Sequence, residues 1–381
     1  MTPPFDIIAF CKDWHEPKTS NNHILEELAK RHRVLWVNSI TTRAPNLASG
    51  NDLRKIARKI RSWFRGVECI HENLRVLTPV VLPLPRSNLA QKLNRHLVRI
   101  AVRSAARSWG LRDPQLWIFP PNAVDYVGLF GESRVVYYCV DEWSQFTHLD
   151  AGFIRDKEAR LLQKADAVFV VSQRLFESKK ALHPNLHLVP HGVDHARFAG
   201  ALSDGLPMAG ELRGLPRPII GFYGNLYDWV DQGLLADIAR MRPAWSLVLV
   251  GKIMCDASAL RACPNIHLLG PRPYEDLPRF CKGFDVGIIP YRLDDPRMQS
   301  VNPLKLREYL AAGLPVVTVD IPEIHAFPGE VLVANGPTEF VARIEQAIAQ
   351  DSPSEKLRRS ERMRVESWSA RAATIERILA V

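Results

Sequence analysis

Short apolar runs recur along the chain, and each is separated from the next by a polar segment that suits a helix. This alternation is the βαβ grammar of a parallel sheet. In the first half it predicts strands at residues 5–10, 33–38, 74–78, 116–119, 135–138, 167–171 and 186–189. Helices are expected over 22–31, in the basic region beyond residue 54, and over 155–164. The pattern lapses into Gly, Pro and Ser between Ala199 and Arg217, as in a linker. It then resumes with strands at 219–223, 246–250, 266–269, 286–289, 316–319 and 331–333. A chain of 381 residues exceeds one ordinary core. The expected fold is therefore α/β, with two domains at 1–198 and 218–360, a linker at 199–217, and a closing helix at 361–381. Doubly wound sheets bind ligands at the carboxyl ends of their strands, so residues directly after each strand are the candidates for chemistry.

The formal charge of +9 is uneven. Thirteen Lys or Arg lie between Arg54 and Arg107 against two acids, Glu68 and Glu72, so this segment carries the whole excess. Residues 54–65 form a basic amphipathic pattern, with Ile56, Ile60, Trp63 and Phe64 on one face and Arg54, Lys55, Arg58, Lys59 and Arg61 around the rest. That is the pattern of a helix lying on anionic lipid, which predicts a membrane surface as a partner. A helix whose apolar edge packs on its own domain is the alternative. No aromatic platform or recognised motif speaks for nucleic acid. No run approaches the ~18 apolar residues of a membrane span, and the N-terminal residues read as a first strand rather than a secretory signal. The six cysteines lack ligand spacing and read as small buried hydrophobes of a reducing, cytoplasmic compartment.

The densest signal is residues 302–317, NPLKLREYLAAGLPVV. Asn302 is expected to cap a helix with Pro303 in its first turn, and Gly313 and Pro315 to stop it before a strand. Leu306, Tyr309 and Leu310 fall at i, i+3 and i+4 and are expected to be buried, which leaves Lys305 and Glu308 on another face. A cation and a carboxylate at the amino end of a helix suit a diphosphate and a hydroxylated ring. A surface ion pair is the competing explanation. The strand before Asp141 and Glu142 runs straight into these two carboxylates, so Asp141 is a candidate general base, with Glu142 behind it. His191, in the Pro190-His191-Gly192 turn, and the Gly224-Asn225 and Gly251-Lys252 pairs follow other strands and could meet phosphates. After the first strand, His15 and His23 are candidate acceptor contacts, and Asn21 is expected to cap the following helix. No ligand set for a metal is present, and Asp294-Asp295 lacks further ligands.

The series VPHGVD, IGFYGNL, PNIHLLGPRPYEDLPRFCKGFDVGIIPY, SVNPLKLREYLAAGLPVV and SWSARAATIERIL resembles the GT-B glycosyltransferases, particularly bacterial enzymes of polysaccharide assembly such as the teichuronic-acid-type transferases. The resemblance covers essentially the whole chain and implies two facing Rossmann-like domains with a C-terminal helix crossing back to the first. It also implies a nucleotide-sugar donor on the second domain, an acceptor on the first, and no cofactor. Retaining family-four enzymes carry two glutamates separated by seven residues, whereas here Ser300 stands where the first would be. The inverting xanthan glucuronosyltransferase resembles this chain instead in an acid after an N-domain strand, matched by Asp141, and a lysine matched by Lys305. The expected activity is therefore metal-independent, inverting sugar transfer from a nucleoside diphosphate, with UDP favoured, to a lipid-linked or growing glycan at the inner face of a membrane. A nucleotide-sugar epimerase or hydrolase, and a non-catalytic nucleotide-sugar or glycan-binding partner of a membrane assembly complex, are the rival readings.

Overall fold

The structure, a computed structural model, describes residues 3–40, 66–82, 84, 87–146 and 149–380. The expected basic helix at 54–65 lies outside the described residues. The chain divides into two compact units, Met1–Pro190 with Ala372–Val381, and His191–Arg371.

The first unit holds β1 (Asp6–Phe10), β2 (Arg33–Val37), β3 (Val67–His71), β4 (Leu74–Leu77), β5 (Gln115–Ile118), β6 (Arg134–Cys139), β7 (Ala167–Val170) and β8 (Leu186–Leu188). They form one sheet in the order β3-β4-β2-β1-β5-β6-β7-β8. The central strands are buried on both faces, which is why they read as unbroken apolar runs. The strand β3 escapes that signal because it is a half-exposed edge strand, antiparallel to β4, whose five residues mix apolar and polar types without an unbroken apolar run. Around this sheet lie α1 (Ser20–Leu28), α2 (Asn88–Ser108), α3 (Ala151–Lys164) and α4 (Gln173–Lys179). The cap of α1 is Thr19 rather than Asn21, and the Thr19 N–H donates to Asn22 Oδ1 at 3.1 Å. An asparagine three residues inside the helix reaches back to the cap, so the register differs by two from expectation.

The second unit holds β9 (Ile219–Tyr223), β10 (Ser246–Val250), β11 (Ile266–Gly270), β12 (Val286–Ile289), β13 (Val316–Thr318) and β14 (Val331–Val333), in the order β11-β10-β9-β12-β13-β14. All these neighbours pair in parallel. Its helices are α5 (His195–Ala199), α6 (Gln232–Met241), α7 (Ser258–Arg261), α8 (Leu277–Gly283), α9 (Leu304–Ala311), α10 (Gly336–Gln350) and α11 (Pro353–Arg362), and α12 (Trp368–Leu379) closes the chain. Residues 199–217 belong to this unit, with Ala201, Ala209 and Leu212 buried in its core. Strand order reverses between β9 and β12, which creates a crevice at their carboxyl ends. The last turns of α12 belong to the first unit, where Glu376 accepts from Arg31 Nη1 at 2.6 Å and pairs with His32 Nε2 at 2.6 Å.

Candidate functional site

The turns after β9, β10 and β12 build the crevice of the second unit. Gly224 has φ +133° and donates its N–H to Val250 O at 2.8 Å. A Cβ on Gly251 would lie 2.0 Å from Gly224 O, so the first two turns touch backbone to backbone. Leu226 N donates to Lys252 O at 2.9 Å, and Lys252 N to Asn225 Oδ1 at 3.3 Å. Gly224, Asn225 and Lys252 are thereby joined in one rigid double loop. Gly251→Ala is expected to destabilise the protein by about 3 kcal/mol or more, because a backbone shift is required and not a rotamer change. Urea unfolding measures it.

Helix α9 enters this crevice between β12 and β13. Leu306, Tyr309 and Leu310 are fully buried, as their spacing requires. The entry differs from expectation. Pro303 is the N-cap and makes no side-chain cap bond, while Asn302 is buried and accepts from Arg307 Nη1 at 2.6 Å and donates to Glu323 Oε2 at 3.2 Å. A fully buried guanidinium needs that acceptor more than a helix terminus does, so Asn302 holds Arg307 in place and does not cap.

Lys305 and Glu308 are not a surface ion pair. Lys305 Nζ donates to Tyr291 Oη at 2.7 Å and lies 4.6 Å from the Phe222 ring centre. A Cβ on Gly224 would sit 3.1 Å from this nitrogen, so the cation reaches the glycine turn. Glu308 is only 5% exposed and accepts from Tyr223 Oη at 2.8 Å. Burial raises its pKa to about 7, against the Tyr223 and Tyr274 hydroxyls and the Lys305 charge, which lower it. The charge-bearing groups at this sheet's switch point are therefore one ammonium beside a backbone turn and one carboxyl with tunable protonation.

In the first unit, Asp141 follows β6 and is half-buried. Its pKa is pushed up to about 7 by burial and by the neighbouring Glu142. A carboxyl with that pKa suits a base working near neutral pH. Glu142 is committed elsewhere. Its carboxylate lies 3.3 Å from the buried ammonium of Lys179 and accepts from Ser144 Oγ at 2.9 Å. Lys179 also meets Glu158 at 3.2 Å, which accepts from Tyr137 Oη at 2.6 Å. Held by Lys179 and Ser144, Glu142 braces the loop that carries Asp141.

His15 is exposed and pairs with Glu68 at 3.0 Å, while His23 is buried within α1. His191 is buried with its ring centre 6.0 Å from that of Trp368. A Cβ on Gly192 would lie 2.7 Å from Trp368 N, so this glycine admits the C-terminal segment, and no ligand is needed to explain it. Sequence reasoning did not single out Tyr223, Tyr291 or Tyr274, although the first two stand at strand ends, where the rule of looking directly beyond each strand reaches them. It also passed over Lys12, just after β1, whose pKa burial lowers to about 8 and whose Nζ donates to Pro17 O at 2.6 Å.

Residues 217–350 match the family Glycosyl transferases group 1. Over 276 residues the chain is 28% identical to a Bacillus subtilis (strain 168) protein named for teichuronic acid biosynthesis, the glycosyltransferase TuaH, covering 67% of this chain and 68% of that one. In fold it is similar to sucrose-phosphate synthase from Thermosynechococcus elongatus, with a TM-score of 0.70, 14% identity and 98% of each chain covered. Anabaena HepE in complex with UDP and glucose gives a TM-score of 0.69 at 14% identity, covering 98% of this chain and 99% of that one. With a group 1 glycosyltransferase domain at residues 217–350 and this fold along nearly its whole length, the chain is similar to the GT-B glycosyltransferases.

Proposed function

We propose that the protein transfers a sugar from a nucleoside diphosphate, UDP being favoured, to a hydroxyl of a lipid-linked or growing glycan, with inversion and without a metal ion. The observation that carries this reading is the meeting of Lys305, the Gly224 turn and Glu308 at one switch point. Here Glu308 accepts the ribose hydroxyls. Lys305, the amino end of α9 and the backbone of the Gly224-Asn225 loop neutralise the departing diphosphate, which lowers the barrier where charge develops. Asp141, on the domain of residues 1–198, takes the proton of the attacking acceptor hydroxyl, and the domain of residues 218–360 carries the donor. Ser300 supports a single-displacement reaction, since it supplies no carboxylate at the position where the retaining family-four enzymes carry their first glutamate. The UDP and glucose of HepE and the teichuronic acid naming of TuaH agree with the donor and acceptor classes.

Such acceptors are held at a bilayer, so the enzyme is read as cytoplasmic and peripheral at the inner membrane face, with 54–65 as one basic contact. A panel of nucleotide sugars tested by thermal shift identifies the donor, because a ligand that binds the folded state stabilises it by RT ln(1 + [L]/Kd). Product analysis then tests transfer. Lys305→Ala is expected to weaken the donor about tenfold to a hundredfold, the scale of one hydrogen bond to a charged group. Donor binding without turnover on any acceptor would favour the non-catalytic reading, and acceptor-independent product the epimerase or hydrolase.

A further inference from the structure

The first unit carries an apolar stripe on the outside of its longest helix. On the inner face of α2, Ala90, Asn94, Val98, Val102 and Ala105 are buried. On the opposite face Leu89, Leu93 and Ile100 are 78%, 44% and 52% exposed. At 100° per residue these three fall within a narrow arc, and Arg107 continues the same line one turn pair beyond Ile100. Lys92, Arg95, Arg99 and Arg103 flank it, and the helix has no acid in 21 residues. The preceding segment is apolar and exposed too, and it joins the helix at the buried Asn94. Val80, Leu82 and Leu84 are exposed as well, and Leu82 is fixed to the helix by both ends of the Asn94 amide, at 2.6 Å from its N–H and 2.9 Å from its carbonyl. At the helix's end Arg103, Arg107 and Arg112 border a cavity of about 420 Å³.

Exposed leucine and isoleucine beside five cations, on a helix without a carboxylate, make a poor free surface and fit one partner well. We propose that the outer face of α2, with Val80, Leu82 and Leu84, docks on an anionic lipid bilayer. The leucines and Ile100 enter the boundary of the acyl chains, the flanking Lys and Arg meet headgroup phosphates, and the arginine-bordered cavity accepts one headgroup. Among the described residues no helix is long and apolar enough to cross a membrane, so this one lies along it. The proposal rests on the membrane-held acceptor of the proposed reaction, but its test uses neither donor nor acceptor.

Co-sedimentation of the full chain with phosphatidylcholine vesicles, with and without phosphatidylglycerol, tests it. Binding is expected only with phosphatidylglycerol, weakening as salt rises. The pair Leu89→Glu and Leu93→Glu should weaken it about tenfold or more, because apolar burial and charge act together, as should Arg103→Glu with Arg107→Glu. Melting temperature and donor-induced thermal shift, unchanged in these variants, show an intact fold. Wild-type vesicle binding by the Leu89/Leu93 pair overturns the proposal. So does equal binding to both vesicle types. Conversion of a dimer into a monomer by that pair, without any vesicle binding, would assign the stripe to a second copy of the chain and overturn it too. Loss of transfer activity with vesicle binding intact counts against the proposed reaction and leaves the docking surface standing.

Discussion

Asp141→Asn is expected to lower the transfer rate by about 10²–10⁴-fold, the usual worth of a positioned general base, with the donor-induced thermal shift unaltered. The amide keeps the shape of the side chain and removes its ability to take a proton. Glu142 cannot replace it, since Lys179 and Ser144 already hold that carboxylate. The pH profile gives a second, independent readout. A base must be ionised to act, and burial together with Glu142 sets the Asp141 pKa at about 7. Activity of the unaltered enzyme should therefore fall about tenfold per pH unit below that value and level off above it. The residual activity of the Asn variant should lack this limb. Transfer at the unaltered rate by the variant would move the base elsewhere. A profile with its limb near pH 4 would instead leave Asp141 in place and show that it is well hydrated while working.

Glu308→Gln should weaken donor binding about tenfold to a hundredfold, because a carboxylate accepting ribose hydroxyls is replaced by a neutral amide with one acceptor. The same substitution should stabilise the protein at high pH. Folding raises this carboxyl from its ordinary 4.5 to about 7, so the folded state binds the proton more tightly than the unfolded one. Stability then declines as pH rises from 4.5 to 7, and the full cost is present above that window. At ~1.4 kcal/mol per pKa unit the cost is on the order of 3 kcal/mol. The Gln variant escapes it, so its melting temperature should exceed that of the unaltered protein at pH 8 and match it below pH 4.5. A group kept at such cost is kept for its ligand. Unchanged donor affinity would remove Glu308 from the ribose, and a pH-independent difference in stability would show that its burial is not what shifts it.

The strands of the second unit were legible almost to the residue. Ile219–Tyr223, Ser246–Val250 and Val286–Ile289 are buried on both faces, and a strand in that setting is apolar at nearly every position. The edge strand β3 was not legible, because one exposed face and an antiparallel partner leave a short mixed run with no distinctive signature. Leu306, Tyr309 and Leu310 announced the helix that carries the site through their spacing. What the spacing could not announce was Asn302, whose amide is claimed by a buried arginine five residues on and a glutamate across the fold.

Pattern along the chain, then, determined the two alternating α/β halves, the helix at 304–311, and the acids and cations that follow strands, because periodicity and strand ends are local properties. Protonation and pairing were decided only by the tertiary structure. Glu308 meets Tyr223, Lys305 meets Tyr291, and Glu142 meets Lys179 across long stretches of sequence. Burial and distant partners fix a side chain's charge, and neither is written in the residues beside it.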